Sequence, residues 1–280
     1  MSTITKAKQE FDSMTKSERQ VASYFFGHLN DFAFFTLDHI ASDINISTTS
    51  VIRFCRRLGF SGFKNFQETL RHEMSYHSPL PVKFQLTLEE SVGDGILAQT
   101  IQQGIHCIEK TFSDLPAELL SAVVDDLLAA KRIFVFGMKE SYAITHYAWT
   151  RLLTARDDAY ILGAYNGCIE SVHSLTPDDI CLVFLFHRYT RETIHILSLL
   201  KKWNIPVFLI TSSPYDGLAP FAQRIIPCQV DAHGIKNTSL APVCLMDYLC
   251  NAMLLRSGDK GMLRMQEMEN WVQTSETLGS

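Results

Sequence analysis

The sequence predicts two domains with different folds: an all-α domain at the N-terminus, then an α/β domain in which helices cover both faces of a doubly wound parallel sheet, giving three layers. The 280 residues exceed the usual length of one domain. Up to residue 77, apolar residues recur with helical spacing. Beyond residue 89, short apolar segments alternate with helical stretches, which is typical of a parallel sheet covered on both faces.

The composition is that of a globular protein. Hydrophobic residues make up 46% of the chain and charged residues 20%, so extensive disorder is not expected. The longest uncharged apolar segment, residues 180–186, is far shorter than the roughly 20 residues of a membrane helix. The N-terminus lacks the apolar stretch of a secretory signal. The seven scattered cysteines form no Cys-x-x-Cys pair, and we expect reduced core residues of a cytoplasmic protein.

Charge is distributed unevenly along the chain. The net charge is −5, but residues 1–77 carry nine Lys and Arg against eight Asp and Glu. Within them, residues 53–71 hold five cationic side chains and one carboxylate, Glu68. Such a local excess is typical of a small nucleic-acid contact, although a solvated helix face gives the same pattern.

Three helices are predicted in the first domain. Thr15 and Glu18 have the spacing of a capping box and start the first helix. The second begins near Thr36, and the third follows the N-cap Ser47 and ends at Gly59. Each places apolar residues on one face. These are Val21, Ala22, Phe25 and Leu29; Leu37, Ile40, Ala41 and Ile44; and Val51, Phe54, Cys55 and Leu58.

The third helix has a polar face opposite its apolar one. The small polar residues Thr49 and Ser50 lie early on this face, and three arginines follow later, at positions 53, 56 and 57. A short helix, a tight turn and then such a helix are typical of a helix-turn-helix, whose early side chains reach base edges while arginines hold phosphates or guanine. Helical hairpins without this activity are also common.

Residues 46–63, Ile-Ser-Thr-Thr-Ser-Val-Ile-Arg-Phe-Cys-Arg-Arg-Leu-Gly-Phe-Ser-Gly-Phe, resemble the V-S-x-x-T/S-V-x-R-F-x-R-K-L-G-F-x-G-F pattern of RpiR-type bacterial transcriptional regulators. The resemblance covers residues 1–77. Ile46 replaces a Val and Arg57 replaces a Lys of the pattern. The resemblance implies that the protein binds a double-stranded DNA operator. The implied DNA-binding set is Thr48, Thr49, Ser50 and Arg53, with Arg56, Arg57 and Lys64 on the backbone.

Residues 78–88 contain two prolines and no helical period, and we interpret them as a linker to a second domain, residues 89–280. Strands are predicted over residues 133–136, 160–162, 180–186, 207–210 and 224–230. Helices are predicted over residues 95–113, 116–130, 140–155, 167–175, 190–203, 215–222 and 240–256.

Ligands of such sheets bind beyond the carboxyl ends of the strands. The loops after the first, third and fourth strands are residues 137–141, 187–192 and 211–213. Each is predicted to open a helix, whose N-terminal amides favour an anion. Hydroxyl groups in these loops can add hydrogen bonds to a ligand. The alternative is that they only cap the helices.

Residues 110–256 resemble the SIS (sugar isomerase) domain, which follows the helix-turn-helix domain in RpiR-type regulators. Gly137 and Ser141 match its G-x-G-x-S loop, with Lys139 in place of the second Gly. Thr190 and Glu192 match its S-x-S-G-x-T-x-E loop. Leu185, His187 and Arg188 replace the Ser, Ser and Gly of that loop. The expected effector-binding residues are Gly137, Lys139, Ser141, His187, Arg188, Thr190, Glu192, Thr211 and Ser212.

The leading hypothesis is a DNA-binding regulator whose SIS-like domain senses a small anionic metabolite, such as a sugar phosphate. We expect a homodimer or homotetramer assembled by residues 89–280, because helix-turn-helix proteins usually read two half-sites. The alternatives are a phosphosugar isomerase with an accessory helical domain, in which Glu192 or His187 acts as the base, and an RNA-binding or scaffolding protein. No cofactor is implied, and the dispersed histidines predict no metal site.

Overall fold

The computed structural model describes residues 3–28, 32, 35–77, 80–90, 95–163, 168–187, 189–212, 217–230 and 236–274. Two compact units make up this part of the chain. The first lies within residues 3–90 and the second within residues 95–274.

The first unit is entirely helical. Its helices are α1 (Thr3–Glu10), α2 (Lys16–Gly27), α3 (Leu37–Asp43), α4 (Thr48–Arg57), α5 (Phe63–His77) and α6 (Leu80–Glu90). The predicted capping box of α2 is confirmed, because the Glu18 amide donates to Thr15 Oγ1 and the Thr15 amide donates to Glu18 Oε2 at 2.9 Å. Ser47 caps the N-terminal end of α4 as predicted. Gly59 comes just after the C-terminal end of α4 and has φ of 90°. A left-handed φ of this kind is freely available only to glycine.

An aromatic core holds this unit together. Phe25 on α2, Phe54 on α4 and Phe66 on α5 are fully buried, and their ring centroids lie 5.7 to 6.2 Å apart. Phe32 adds an edge-to-face contact 5.1 Å from Phe25. The apolar face predicted for α4 is therefore confirmed as its buried face. Leu29, predicted in the α2 stripe, lies outside the described residues.

The interpretation of residues 78–88 as a segment without helical structure is wrong, because α6 runs through most of it. Pro81 occupies the first turn of α6, where the amide that proline lacks has no partner within the helix. Leu80, Phe84 and Leu88 lie four residues apart and are 43 to 59% exposed. The prolines concealed this helical spacing.

The second unit contains a five-stranded parallel sheet in the order β2-β1-β3-β4-β5. The strands are β1 (Ile133–Phe136), β2 (Ala159–Ile161), β3 (Ile180–Phe184), β4 (Val207–Thr211) and β5 (Arg224–Pro227). The helices are α7 (Ile96–Asp114), α8 (Ala117–Ala129), α9 (Ser141–Ala155), α10 (Cys168–His173), α11 (Arg191–Lys202), α12 (Leu240–Arg256) and α13 (Asp259–Thr274). The predicted parallel sheet is confirmed.

Side chains alternate between the two faces of the sheet, as the pleat requires. Ile133 and Val135 of β1 pack in one apolar cluster with residues of α8, α9 and α12. Phe134 and Phe136 pack in a second cluster with residues of α10 and α11. The sheet is thus the middle of three layers, as predicted.

The prediction of a helix over residues 215–222 is wrong for the residues of this range that the structure describes. Residues 217–222 contain only a single turn of 3-10 helix, Ala219–Phe221. Pro220 occupies the middle of this turn and lacks the amide that a longer α-helix would use.

The six cysteines whose side chains the structure describes are free thiols. Cys55, Cys107, Cys181, Cys228 and Cys250 are buried, and Cys244 is partly exposed. Burial raises the pKa of Cys55, Cys228 and Cys250 to about 12, which keeps these thiols protonated at neutral pH. Across the described ranges, no helix has both the length and the apolar character needed to cross a bilayer.

A buried ion pair ties the beginnings of β1 and β3 together. The Arg132 guanidinium donates to both carboxylate oxygens of Asp179, at 2.9 and 2.6 Å, and Asp179 is fully buried. The Thr176 amide donates to the same carboxylate at 2.7 Å. Burial acts to raise the pKa of Asp179, but the hydrogen bonds from Arg132 and Thr176 outweigh it, so the net pKa lies below the usual value.

We expect Asp179→Asn to lower the free energy of unfolding by about 2–3 kcal/mol at neutral pH, because Arg132 loses a buried partner. A carboxylate with a lowered pKa stabilises the fold above its unfolded pKa, and this stabilisation is lost as pH falls through the folded pKa. The deficit should therefore shrink in acid. Urea titrations at several pH values measure it, with exposed Asp178→Asn as the control. Equal stability of Asp179→Asn and wild type at neutral pH would contradict the role of this pair.

Candidate functional site

The outer face of α4 presents most of the residues predicted to bind DNA. Thr49, Arg53 and Arg56 are exposed, and Thr48 and Ser50 are partly exposed. The Ser50 hydroxyl lies 3.0 Å from Ser47 Oγ at the start of the helix. The burial of Phe54 and its neighbours leaves this polar face turned to solvent.

The turn before α4 has an unusual backbone. Asn45 has φ of 52°, in the left-handed region that asparagine adopts more easily than most residues. The Ile46 amide then donates to the Ala41 carbonyl at 2.9 Å, which closes α3 onto the turn. Residues 44–47 therefore form the tight turn that connects α3 to α4.

Arg57 differs from the other predicted DNA-binding residues. Its guanidinium donates to the carbonyl and hydroxyl oxygens of Ser13, and it lies within ion-pair distance of Glu10 and Glu18. Only 28% of its side chain is exposed. Lys64, in the first turn of α5, is exposed. The other members of the predicted set are thus accessible, whereas Arg57 is engaged inside the first unit.

In the second unit, three predicted loops meet at one edge of the sheet because their strands are parallel. The strand order reverses between β1 and β3, which is where a crevice for ligands forms in such sheets. The Thr190 hydroxyl, after β3, donates to Met138 Sδ, after β1, at 3.7 Å. The structure therefore brings the loop after β1 and the loop after β3 into contact.

The loop after β1 shows why the family pattern has glycines. A Cβ atom at Gly137 would lie 2.6 Å from Thr145 Oγ1 and 3.0 Å from Ser141, so only glycine fits. Lys139 occupies the position of the second glycine and has φ of 54°. This left-handed conformation costs a lysine about 1–2 kcal/mol relative to its usual backbone. The Lys139 side chain is exposed at the sheet edge.

Two hydroxyl groups of the site, those of Thr190 and Thr211, bond to other groups of the protein. Thr190 caps α11 by accepting a hydrogen bond from the Thr193 amide at 3.2 Å. Thr211 is buried and donates to the Leu185 carbonyl. Ser212 is buried next to it. The capping alternative raised from the sequence therefore holds for Thr190, while Ser141 is the first residue of α9 and partly exposed.

Glu192 lies in the first turn of α11 and is exposed. Its own backbone amide and the Thr190 hydroxyl lower the pKa of its carboxyl group, and the charges of Lys139 and Arg191 lower it further. An ionised carboxylate therefore lies at the helix N-terminus that was predicted to attract an anion. A ligand anion at this point would meet Glu192.

His187 and its surroundings include residues that the sequence did not reveal. The His187 ring is edge-to-face with Tyr189, 5.9 Å between centroids. Asn237 Nδ2 donates to the His187 carbonyl at 3.2 Å. Asn237 comes from a distant segment without a recognisable motif, so no local pattern could have assigned it. Arg188 lies outside the described residues.

A shallow depression of about 410 Å³ opens beside the loop after β3. It is lined by Tyr189, Thr190, Arg191, Ile194, His195 and Ser198. Three of these residues can donate hydrogen bonds from exposed positions on α11. Among the side chains that the structure describes, no three His, Cys, Asp or Glu residues are grouped to hold a metal ion.

Comparisons with known proteins agree with this architecture. Residues 1–77 match the helix-turn-helix domain of the rpiR family, and residues 126–252 match the SIS domain. The fold and these two matches define a transcriptional regulator with a helix-turn-helix domain and a SIS domain. The chain belongs to the RpiR-type transcriptional regulators, and the two resemblances predicted from the sequence are confirmed.

Several known proteins are similar to this chain over most of its length. An uncharacterised helix-turn-helix transcriptional regulator of Haemophilus influenzae is 24% identical over 225 residues, 80% of this chain and 78% of that protein. The regulator HexR of Escherichia coli is 22% identical over 265 residues, 93% of this chain and 90% of HexR. Among solved structures, Vibrio vulnificus NanR in complex with ManNAc-6P has a similar fold, with a TM-score of 0.59. The match covers 96% of this chain and 97% of the NanR chain, and the two sequences are 21% identical.

Proposed function

We propose that this regulator reads a DNA operator with the polar face of α4 and that a small anionic metabolite, bound at the loop edge of the second unit, modulates this reading. The observation that carries the first part is the exposed row Thr49, Arg53 and Arg56 on a helix whose other face is locked in an aromatic core. Small polar residues and arginines in such a row fit base edges and phosphates. Its place of action would be the cytoplasm, where bacterial DNA lies.

The DNA contacts divide by position. Thr48, Thr49 and Ser50 lie in the first turn of α4 and Arg53 lies near its middle. In helix-turn-helix proteins the N-terminal part of this helix contacts base edges in the major groove. Arg56 and Lys64 would hold the phosphate backbone. A basic side chain on the backbone adds affinity without sequence preference, whereas one on a base edge adds preference.

We expect Arg53→Ala to abolish most of the discrimination between specific and random DNA, at a cost of about 1–3 kcal/mol for a bidentate contact to a base. Fluorescence anisotropy at fixed salt measures it, with a duplex that the wild-type protein selects from random DNA and a scrambled duplex. Arg56→Ala is the matched control, because loss of a phosphate contact should weaken both complexes alike. An unchanged preference in Arg53→Ala would remove Arg53 from the reading surface.

The proposed effector is anionic because cationic and amide groups meet at the loop edge. Lys139 lies at this edge together with the N-termini of α9 and α11, which favour negative charge. Arg188, whose placement is not described, belongs to the same loop as His187. The NanR structure holds ManNAc-6P, so sugar phosphates are the first class of compound to try, and small carboxylates are the second.

We expect calorimetry against sugar phosphates and small carboxylates to find a binder whose affinity falls about tenfold in Lys139→Ala, since a charge-assisted hydrogen bond contributes about 1.5 kcal/mol. Arg188→Ala should show a similar loss. Glu192→Gln should bind more tightly, because it removes a carboxylate that repels the ligand. Lys131→Ala, at the opposite end of β1, is the control for charge. An uncharged effector, or full affinity in Lys139→Ala, would contradict this site.

A regulator is favoured over a phosphosugar isomerase by the state of Glu192, one of the two possible bases. An isomerase needs a base beside the substrate carbon, with a pKa close to the working pH. The pKa of Glu192 is lowered, and its carboxylate is exposed. Turnover of sugar phosphates by the purified protein, lost in Glu192→Gln, would favour the isomerase instead.

We also propose a homodimer or homotetramer assembled by the second unit. Leu97, Ile101 and Ile105 form a row along α7 and are 50 to 69% exposed. Leu240 packs against Gly104 beside this row and is itself half exposed. Residues 95–108 contain no Lys, Arg, Asp or Glu, so two copies can meet across this face without repulsion between such charges. Apolar rows of this kind are typical of surfaces between subunits.

We expect Ile101→Glu to dissociate the oligomer into monomers, because a two-fold interface would bring two buried carboxylates together. Light scattering of the full chain measures the mass. Gln102→Glu adds the same charge outside the row and should leave the oligomer intact. A wild-type protein that is monomeric at micromolar concentration would contradict this proposal.

A further inference from the structure

Arg57, the last residue of α4, reaches across the first unit instead of toward solvent. Its Nη2 atom donates to the Ser13 carbonyl at 2.8 Å and to the Ser13 hydroxyl at 2.9 Å. Its Nη1 atom lies 3.4 Å from Glu18 Oε2, and its Nε atom lies 3.4 Å from Glu10 Oε2. One side chain of α4 therefore bonds to the segment that joins α1 and α2 and to the first turn of α2.

Glu18 is the buried partner in this cluster. It is 8% exposed, and its Oε2 atom accepts hydrogen bonds from the Thr15 amide and hydroxyl, both at 2.9 Å. Burial acts to raise its pKa, but the Thr15 hydrogen bonds and the charges of Arg57 and Arg53 outweigh burial and lower the pKa. Glu18 is thus an ionised carboxylate that needs a cation nearby. The guanidinium of Arg57 supplies it.

The geometry fixes α4 at two points. Phe54 anchors the middle of the helix against Phe25 of α2, and Arg57 anchors its C-terminal end against Glu18. A ten-residue helix is about 15 Å long, so a tilt of about 4° moves its far end by about 1 Å. A shift of that size is enough to break hydrogen bonds to base edges.

We propose that Arg57 is a positioning residue for DNA reading, which acts through Glu18 and Ser13 to hold the angle of α4, and that it does not bind a DNA phosphate. The inference rests on the proposed binding of DNA by α4. It replaces the expectation, drawn from the family pattern, that Arg57 contacts the backbone.

Glu18→Gln tests the proposal against simple electrostatics. Glutamine at this position preserves the capping box, because its side-chain carbonyl accepts from the Thr15 amide. Removing a negative charge should by itself strengthen DNA binding. We expect the opposite: a Kd for the selected duplex that rises about fivefold, with a Kd for scrambled DNA that does not rise. Glu68→Gln removes an exposed carboxylate of α5 and is the charge-matched control, for which no loss of affinity is expected.

The salt dependence of binding distinguishes a positioning residue from a phosphate contact. Each phosphate contact contributes about 0.9 to the slope of log K against log salt concentration. We expect Arg57→Ala to weaken specific binding while leaving this slope unchanged. Arg56→Ala should make the slope less steep by about 0.9. Arg57→Lys, which retains the charge, should restore part of the specificity. Circular dichroism at the assay temperature checks that each variant is folded, and a fraction of unfolded protein would weaken specific and random complexes equally.

The outcomes separate this inference from the function on which it rests. If wild type shows no preference for any duplex, the proposed operator reading fails and the inference falls with it. If wild type is selective but Glu18→Gln and Arg57→Ala are equally selective, only the positioning role is overturned. If the slope becomes less steep by about 0.9 in Arg57→Ala, Arg57 is a phosphate contact and the positioning role is overturned.

Discussion

The burial of one face of α4 in the aromatic core of the first unit is the constraint on which the proposed DNA-reading surface depends. Phe54 and its apolar neighbours admit one rotation of the helix about its axis, because any other would expose them and bury charged side chains. The same constraint that stabilises the unit therefore decides which residues reach solvent. Thr49, Arg53 and Arg56 are displayed as a consequence of core packing.

The second unit gathers its candidate ligand residues by topology. Three loops that are far apart in sequence lie at one edge because their strands are parallel. Within this shared architecture the chain has its own chemistry, with Lys139 held in a left-handed conformation and Glu192 at a helix N-terminus. A ligand that fits one state of the regulator better than another shifts the population toward that state, typically by 1–3 kcal/mol. In the proposed function, the charges at this edge select the ligand that does so.

Local patterns in the sequence predict most of the fold, and long-range contacts account for most of what they miss. The capping box at Thr15 and the apolar spacing of α4 depend on neighbours within one or two turns, so they can be read directly. Helix α6 escapes prediction because proline usually interrupts a helix, whereas Pro81 occupies a first turn, where it is tolerated. The inward direction of Arg57 depends on Ser13 and Glu18, about 40 residues away. Likewise, the contact of Asn237 with His187 spans 50 residues and has no sequence signal.

The central claim, that α4 reads a specific DNA sequence, is tested most directly by selection of random double-stranded DNA with the purified full-length protein. The account predicts strong enrichment of one motif, present as two half-sites whose centres lie about 10 base pairs or a multiple of that distance apart, as a two-fold dimer requires. Recovery of bound DNA without any enriched motif would contradict it, since the polar face of α4 would then serve only for unspecific contact with the backbone.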